Sequence, residues 1–335
     1  MNAAIICFSD AGAELAVRLA QEIGACIHST DKYAEKYGFT AHKSIMADTG
    51  EMFSAYKALI FIGSCGIAVR CIAPHVKNKT IDPAVIVIDD GGHYVIPVLS
   101  GHIGGANALA GSIAAFLGAV PVITTATDVH GRFACDEWAA KHDCVISSMK
   151  LAKEVSAAIL TEDIPVSADG GLPDNLPAGL VKAESGRLGI YIGIRTVQPY
   201  KNTLALIPRI IIVGVGCRRG TSKEAVISAV KTALAANDID IRAVKAFASI
   251  DIKRNEEGLL SAAEELRVPI AFYSADELNS VAGEFTESEF VKKTTGTGNV
   301  CERAAAYGGG TIISRKSAQD GVTTALALDK WEILF

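Results

Sequence analysis

Residues 84–107 read A-V-I-V-I-D-D-G-G-H-Y-V-I-P-V-L-S-G-H-I-G-G-A-N, in which two strand-like runs are separated by one glycine-rich turn and followed by another. The first run, 84–88, is wholly apolar, which is typical of a strand buried on both faces of a sheet. The D-D-G-G sequence predicts a hairpin turn between the two runs. The apolar stretch that follows Asn107 predicts a helix, so the segment favours a sheet covered by helices.

The same alternation of strand and helix patterns extends outward from this segment in both directions. Apolar runs at 3–8, 57–63 and 120–125 alternate with helical patterns, and a second series of strands and helices begins at 209. Between residues 131 and 208 the alternation of strand and helix patterns is weaker. The predicted fold class is therefore α/β: two α/β units with mostly parallel or mixed sheets, joined by a small middle domain. The predicted domains are 1–130, 131–208 and 209–335.

Composition narrows the range of functions. The 335 residues are 50% hydrophobic and 21% charged, and their net charge of −5 argues against a nucleic-acid partner. No apolar run reaches the roughly 20 residues that span a bilayer, and the start of the chain has no basic leader, so a cytoplasmic protein without a membrane partner is expected. Eight cysteines without a C-x-x-C pair argue against a disulfide framework or a structural zinc site. The sequence leaves a homo-oligomer open.

Three glycine-rich turns follow predicted strands, at 63–70, 100–107 and 214–221. Glycine lets a backbone approach a ligand closely, and ligands bind beyond the carboxyl ends of strands in open α/β sheets. Steric need alone could explain any one of these turns, but three together favour a shared binding crevice. The predicted substrate-binding residues lie in these turns, in the segments 124–128 and 249–253 that follow or end predicted strands, and at a glycine-rich helix start near 299: Gly63, Ser64, Cys65, Gly66, Arg70, Ser100, Gly101, Gly104, Gly105, Asn107, Thr124, Thr125, Asp128, Gly214, Gly216, Cys217, Arg218, Gly220, Ser249, Asp251, Lys253 and Asn299.

Histidine chemistry is confined to the first part of the chain, because all seven histidines precede residue 143. His102 is the strongest acid–base candidate, since a helix N-terminus would lower its pKa and keep the ring neutral near neutral pH. Asp89, Asp90 and His93 are further catalytic candidates, because a carboxylate at a strand end can orient a histidine. Two alternatives stay open: His102 could merely cap or pack at the helix start, and at least one of the two aspartates could be only a turn former.

The stretch G-V-G-C-R-R-G at 214–220 invites comparison with the dinucleotide-binding fingerprint G-x-G-x-x-G. It has one residue too many before its last glycine, and two arginines occupy the turn. A nicotinamide cofactor is therefore not favoured. The sequence shows no cluster of metal ligands either, so no protein-bound metal or cofactor is expected.

Six motifs taken together resemble the CbiG family, the cobalt-precorrin 5A hydrolases of anaerobic cobalamin biosynthesis. In the first half they are F-I-G-S-C-G-I-A-V-R, V-I-D-D-G-G-H-Y-V-I-P-V-L-S-G-H-I-G-G-A-N and I-T-T-A-T-D; in the second they are I-I-V-G-V-G-C-R-R-G-T, A-S-I-D-I-K and C-E-R-A-A-A. The resemblance spans essentially the whole chain and is weakest in the middle segment. Its last part is also similar to a small domain found alone in the aerobic pathway.

The resemblance implies a hydrolase that opens the ring A δ-lactone of cobalt-precorrin 5A with water and releases a two-carbon unit as acetaldehyde, giving cobalt-precorrin 5B. The cobalt would belong to the substrate, and no cofactor would be needed. His102 could serve as the base, helped by Asp89 or Asp90, while the backbone NH groups at Gly104, Gly105 or Gly66 hold the oxyanion.

The substrate implied by the resemblance carries many carboxylates. Arg70, Arg132, Arg218 and Lys253 are candidate partners for them, and a crevice between the two α/β units is the expected site. The alternative is a non-catalytic protein that binds or carries the same macrocycle.

Overall fold

The computed structural model describes residues 2–78 and 81–335. Its contacts divide the chain into two compact units, one ending at Ala140 and one running from Lys141 to Phe335. None of the helices among the described residues has the length and apolar character to cross a membrane.

The first unit is built on a seven-stranded sheet in the order β3-β2-β1-β4-β5-β6-β7. Its strands are β1 (Ala3–Cys7), β2 (Cys26–Thr30), β3 (Thr40–His42), β4 (Ala58–Ile62), β5 (Ala84–Ile88), β6 (Tyr94–Leu99) and β7 (Val120–Pro121). Its helices are α1 (Asp10–Ile23), α2 (Asp31–Tyr37), α3 (Ile45–Ala55), α4 (Cys65–Ile72), α5 (Ala106–Leu117), α6 (Ala126–Val129) and α7 (Cys135–Lys141).

Helices cover both faces of this sheet. Successive strand residues point to opposite faces, so Ile5 joins one buried cluster with Leu19 of α1, whereas Ile6 joins another with Phe53 of α3. The continuous apolar runs in the sequence reflect this double burial, and the α/β fold class is confirmed. The predicted helix after the second glycine-rich turn is confirmed as α5.

The strand direction reverses once in the sheet, at the predicted D-D-G-G hairpin. β1 to β5 are mutually parallel, but β6 is antiparallel to β5, with Ile88 opposite Val95. We call the edge where the parallel strands end the carboxyl edge and the opposite one the amino edge. Because β6 runs backward, the turn at 100–105 lies at the amino edge and the turn at 63–66 lies at the carboxyl edge, roughly 16 Å away along five residues of strand. The prediction that these two turns share one crevice is wrong.

The second unit contains two five-stranded sheets. The first, in the order β10-β9-β11-β12-β8, consists of β8 (Cys144–Ile146), β9 (Ile164–Ala168), β10 (Leu180–Lys182), β11 (Leu188–Ile192) and β12 (Asn202–Pro208), with helix α8 (Met149–Ala158). Contacts group this sheet with the one that follows it, and the division into three domains stays a prediction.

The last sheet has the order β15-β14-β13-β17-β16. Its strands are β13 (Ile211–Cys217), β14 (Val244–Ile250), β15 (Ile270–Tyr273), β16 (Thr311–Gln319) and β17 (Val322–Leu328). Its helices are α9 (Lys223–Ala235), α10 (Glu257–Glu265), α11 (Ala275–Ser280), α12 (Glu289–Thr295) and α13 (Val300–Ala306). β13 to β15 are parallel and β17 is antiparallel to β13, so this sheet is mixed, as predicted.

Gly214 is the point at which helix α13 packs directly on strand β13. A Cβ atom there would lie 1.8 Å from the Cys301 carbonyl oxygen, so no side chain fits unless the helix moves. We expect Gly214→Ala to lower the free energy of unfolding by about 2 kcal/mol or more, measured by chemical denaturation. Gly111→Ala is the matched control, because its helical site has open space around the added Cβ and should gain about 0.5–1 kcal/mol. Equal stability of Gly214→Ala and the parent would contradict this packing.

Candidate active site

The turn at 100–105 is shaped by backbone conformations that few side chains tolerate. Ser100 has a φ of 58° and Gly105 a φ of 78°, both in the left-handed region. At Gly104 a Cβ would lie 2.3 Å from the Ser100 Cβ. The glycines therefore allow a tight turn, which presents His102 just ahead of α5.

His102 is held between two carboxylates. Its Nε2 lies 2.8 Å from Asp128 Oδ2 and its Nδ1 lies 3.1 Å from Asp136 Oδ1, and its side chain is 13% exposed. The hydrogen bond to Asp136, supported by the one to Asp128, outweighs burial and raises the pKa of His102 to about 9. The ring is therefore an imidazolium at neutral pH, and both of its N–H groups are engaged.

The prediction of a neutral His102 with a lowered pKa is wrong for two reasons. The N-cap of α5 is Gly105, so the imidazole lies outside the first helical turn, where the dipole is strongest. Two charge-assisted hydrogen bonds also stabilise the cation far more than a helix terminus destabilises it. The expected partners Asp89 and Asp90 are not the ones found.

Other predicted residues do meet His102. Asn107, which is buried, donates its amide to Thr125 Oγ1 at 2.7 Å and to Asp128 Oδ2 at 3.2 Å. The Thr127 hydroxyl lies 3.3 Å from His102 Nε2. Thr124 directly precedes this group along the chain. The structure thus assembles one cluster from the turn, α5 and the start of α6.

Sequence reasoning missed Asp136, although it makes the principal hydrogen bond to His102. The residue lies in the first turn of α7 and is only 4% exposed. A buried aspartate needs a compensating partner, but nothing in the local pattern D-E-W-A-A indicates that it is buried. The only sequence signal was a pair of acidic residues at a helix start, and acidic residues are common at that position without any role in a site.

His102, Asp128 and Glu137 also form a group with the chemistry of a cation site. One ligand atom from each lies within 4.8 Å of the others. Imidazole nitrogen and carboxylate oxygen are both common ligands of divalent transition metals. The expectation that the chain has no cluster of possible metal ligands is therefore wrong, because these three side chains lie close together.

The remaining catalytic candidates lie at the carboxyl edge and serve the local structure. Asp89 accepts hydrogen bonds from the Tyr94 backbone N–H at 2.6 Å and from His93 Nδ1 at 3.1 Å, and the His93 side chain is 74% exposed. Asp90 accepts a hydrogen bond from the hydroxyl of Ser9, the N-cap of α1. These contacts fix the hairpin and the helix start, and none of them reaches His102.

The predicted substrate-binding residues at 63–70 share this carboxyl edge. Ser64, Cys65 and Gly66 are exposed, and Arg70 bonds back to the Gly66 carbonyl at 3.4 Å. They surround the first turn of α4, away from the His102 cluster. The structure therefore separates them from the acid–base residues with which the sequence grouped them.

A groove of about 740 Å³ opens at the amino edge of the first sheet. Ile103 and Gly104, next to His102, form part of its wall, together with Tyr56, His75 and Asp82. Asp82 is buried and its carboxylate accepts the Lys77 backbone N–H. The groove was not predicted, because the sequence did not reveal which edge the turn at 100–105 occupies.

A second groove, of about 830 Å³, lies at the carboxyl ends of β13 and β14. Predicted residues line it, namely Gly216, Cys217, Arg218 and Lys253, together with Arg219. Phe290, on α12, also lines it and is 79% exposed. The groove therefore combines guanidinium and ammonium groups with an accessible aromatic ring.

Charge in this second groove is partly neutralised. Lys253 Nζ lies 3.0 Å from Glu256 Oε1, and Gly220 donates its backbone N–H to the other carboxylate oxygen at 3.1 Å. Burial raises the pKa of the Cys217 thiol, which disfavours a thiolate nucleophile. Asp251 lies exposed at the start of the 3-10 turn that carries Lys253.

Three predicted binding residues of the second unit are buried and serve the fold instead. Gly214 is buried under α13, and Ser249 is buried with its hydroxyl donating to the Val215 carbonyl at 2.6 Å. Asn299 is 1% exposed and caps α13 by accepting the Glu302 backbone N–H at 3.0 Å. The prediction that these three bind substrate directly is wrong, because the same residue types also serve packing and helix capping.

Comparison with known proteins identifies the relatives of this chain. Residues 48–128 match the family model described as cobalamin synthesis G N-terminal, and residues 211–327 match cobalamin synthesis G C-terminus. A cobalt-precorrin-5A hydrolase of Salmonella typhimurium is 34% identical, covering 97% of this chain and 97% of the relative. A cobalt-precorrin-5A hydrolase of Priestia megaterium is also 34% identical, covering 93% and 92%. A solved cobalamin biosynthesis protein G homolog from Sulfolobus solfataricus aligns over 98% of this chain and 97% of its own, at 23% identity and a TM-score of 0.41.

An α/β architecture with matches to both cobalamin synthesis models defines the class: this is a cobalamin synthesis protein. Identity of 34% along almost the whole length shows the family as well. The chain belongs to the CbiG family, and the resemblance seen in its motifs is confirmed.

Proposed function

We propose that this chain is a cobalt-precorrin 5A hydrolase, an enzyme that opens the ring A δ-lactone with water and releases acetaldehyde to give cobalt-precorrin 5B. The observation that carries the proposal is its 34% identity, over nearly full length, to two proteins named as cobalt-precorrin-5A hydrolases. The cobalt enters as part of the substrate.

The His102 cluster supports a role in activating water for lactone opening. The imidazolium and the Asn107 amide both bind Asp128 Oδ2, which fixes the orientation of that carboxylate. Asp128, with 27% of its side chain exposed, is the cluster member that can accept a proton from water. In this proposal His102 orients Asp128 and limits the local negative charge, whereas Asp128 is the base.

The second groove supports binding of a flat, multiply charged macrocycle. Arg218 and Arg219 can pair with acetate or propionate carboxylates, and Arg is suited to bidentate contacts of this kind. Phe290 and Ile252, both strongly exposed, offer apolar surface to the face of the ring. Gly216 lies in the groove wall, where an added Cβ would lie 2.6 Å from the Thr323 hydroxyl oxygen.

The proposal requires no resident metal or organic cofactor. We also propose that the enzyme acts in the cytoplasm on a small corrinoid, with no nucleic-acid or membrane partner, and that any oligomer is formed by copies of the same chain.

The decisive experiment is to incubate the purified protein with cobalt-precorrin 5A and to measure acetaldehyde together with the absorbance spectrum of the corrinoid. We expect stoichiometric aldehyde, with none from heat-denatured protein. Tight binding without aldehyde would contradict the hydrolase and favour a carrier. Aldehyde release that requires added nicotinamide dinucleotide would contradict the cofactor-free reaction.

A further inference from the structure

Four polar side chains near the β3 border of the first sheet are joined one to the next by hydrogen bonds. Asp48 Oδ2 lies 2.9 Å from His42 Nδ1, and His42 Nε2 lies 2.9 Å from His28 Nδ1. His28 Nε2 lies 3.0 Å from the Tyr56 hydroxyl. The residues come from β2, β3, the first turn of α3 and the C-cap of α3, so three elements cooperate to build the series.

The hydrogen bonds of this series all run in one direction. An ionised Asp48 only accepts, so His42 must donate from Nδ1, which leaves its Nε2 as an acceptor. His28 then donates from Nδ1 and accepts the Tyr56 O–H at Nε2. Cys26 is a second hydrogen-bond partner of the Tyr56 hydroxyl, and the remaining lone pair of the oxygen can accept a proton from another group.

Burial differs sharply between the middle of the series, at His28, and its Asp48 end. His28 is 5% exposed, and burial, helped by the nearby His42, lowers its pKa, so its ring is neutral. Asp48 has 40% of its side chain exposed and reaches solvent. Cys26 also faces the Tyr56 hydroxyl, and burial is the main reason that the pKa of this tyrosine is raised. A buried polar series of this length is costly unless every member is paired, as it is here.

The inner end of the series meets the amino-edge groove. Tyr56 is part of the groove wall, as are Ile103 and Gly104 beside His102. Acetaldehyde release requires a group that removes a hydroxyl proton. The Tyr56 series supplies a neutral proton acceptor at the same edge of the sheet.

We propose that Tyr56 is a catalytic residue that takes the hydroxyl proton of the ring-opened substrate, and that His28, His42 and Asp48 relay protons from it to solvent. This inference rests on the proposed function, because it assigns the second of its two steps. The substrate O–H bond breaks as an O–H bond forms on Tyr56, whose own proton passes to His28 Nε2. His28 passes its Nδ1 proton to His42, and His42 passes its Nδ1 proton to Asp48 and thence to water. The carbon–carbon electron pair enters the conjugated macrocycle as the carbonyl of acetaldehyde forms.

The test separates lactone opening from aldehyde release. With cobalt-precorrin 5A, Tyr56→Phe should release acetaldehyde at least 100-fold more slowly, the low end of roughly 10²–10⁴ for general acid–base catalysis. Its KM should change little, and a product heavier than the substrate by one water should accumulate in mass spectra. Tyr33→Phe, which removes an exposed hydroxyl beside Lys32, is the matched control and should behave as the parent.

Asp48→Asn, at the exposed end of the relay, provides a second variant. We expect a lower kcat with an unchanged KM, because an amide at the end of the relay cannot take the proton that His42 passes on. A purely structural role of Asp48 would instead appear as a lower melting temperature with kcat unchanged. Parent-like aldehyde release by Tyr56→Phe, or a parent-like kcat in Asp48→Asn, would overturn the relay. Absence of aldehyde with the parent protein would instead contradict the hydrolase itself.

Discussion

Asp128→Asn is expected to lower the rate of acetaldehyde release from cobalt-precorrin 5A by roughly 10²–10⁴, the usual contribution of a positioned acid–base group. The substitution keeps the size of the side chain and can retain a hydrogen bond to His102, but an amide cannot take a proton from water. The loss should therefore appear in kcat more than in KM. Unlike Tyr56→Phe, this variant should accumulate no ring-opened product, because it blocks the first step.

The matched control for this prediction is Asp174→Asn. Its carboxylate is fully exposed and its contact with Lys182 is a surface ion pair at 3.4 Å, so the same chemical change should leave kcat within about twofold. Melting temperatures of both variants should be compared, since a large drop for Asp128→Asn would point to a structural rather than a catalytic loss. Parent-like kcat in Asp128→Asn would remove Asp128 from the mechanism.

The sequence predicted the local elements of the first unit well because their signals are local. The apolar run at 84–88, the D-D-G-G turn and the helix after Gly105 each depend on residues within a few positions of one another. Burial on both faces of the sheet also leaves a direct mark, since successive residues of a strand must both be apolar.

The arrangement around His102 depended on facts that no local pattern contains. The reversal of β6 decides which edge of the sheet carries the turn, and this follows from pairing with β5. Asp136 contacts His102 although it lies 34 positions later in the sequence, and α5 and β7 come between the two residues. The sign of the pKa shift followed from that contact, so a prediction from the helix dipole alone had the wrong direction.

The second unit shows a different limit. Gly214 and Gly216 are two positions apart on the same strand, yet Gly214 is covered by α13 and Gly216 lines the groove. Ser249 and Lys253 divide in the same way between core and groove. A glycine or serine at such a position indicates that another group packs closely against the backbone. Only tertiary packing decides whether that group is a ligand or a helix.

The stability of the protein should depend on the proton of His102, and the expected direction follows from its pKa. The pKa is about 9 in the folded chain, against 6.5 for a free histidine side chain. A raised pKa stabilises the folded state fully below pH 6.5, and this contribution disappears as pH rises through 9. A shift of this size corresponds to about 3 kcal/mol of unfolding free energy.

We therefore expect the stability advantage of the parent over His102→Gln, which keeps polarity without the charge, to be largest at pH 6 and to fall steadily by pH 9.5. Denaturant titrations at fixed pH values measure it, and the C–H proton signals of the imidazole in NMR spectra report the pKa directly. His93→Gln is the matched control for the substitution itself, because that ring is 74% exposed. In Asp136→Asn the His102 pKa should drop, since the principal hydrogen bond to the cation is weakened. An imidazole that titrates near 6.5 in the parent would show that the two carboxylates do not hold this proton, and would return His102 to the role of a neutral base.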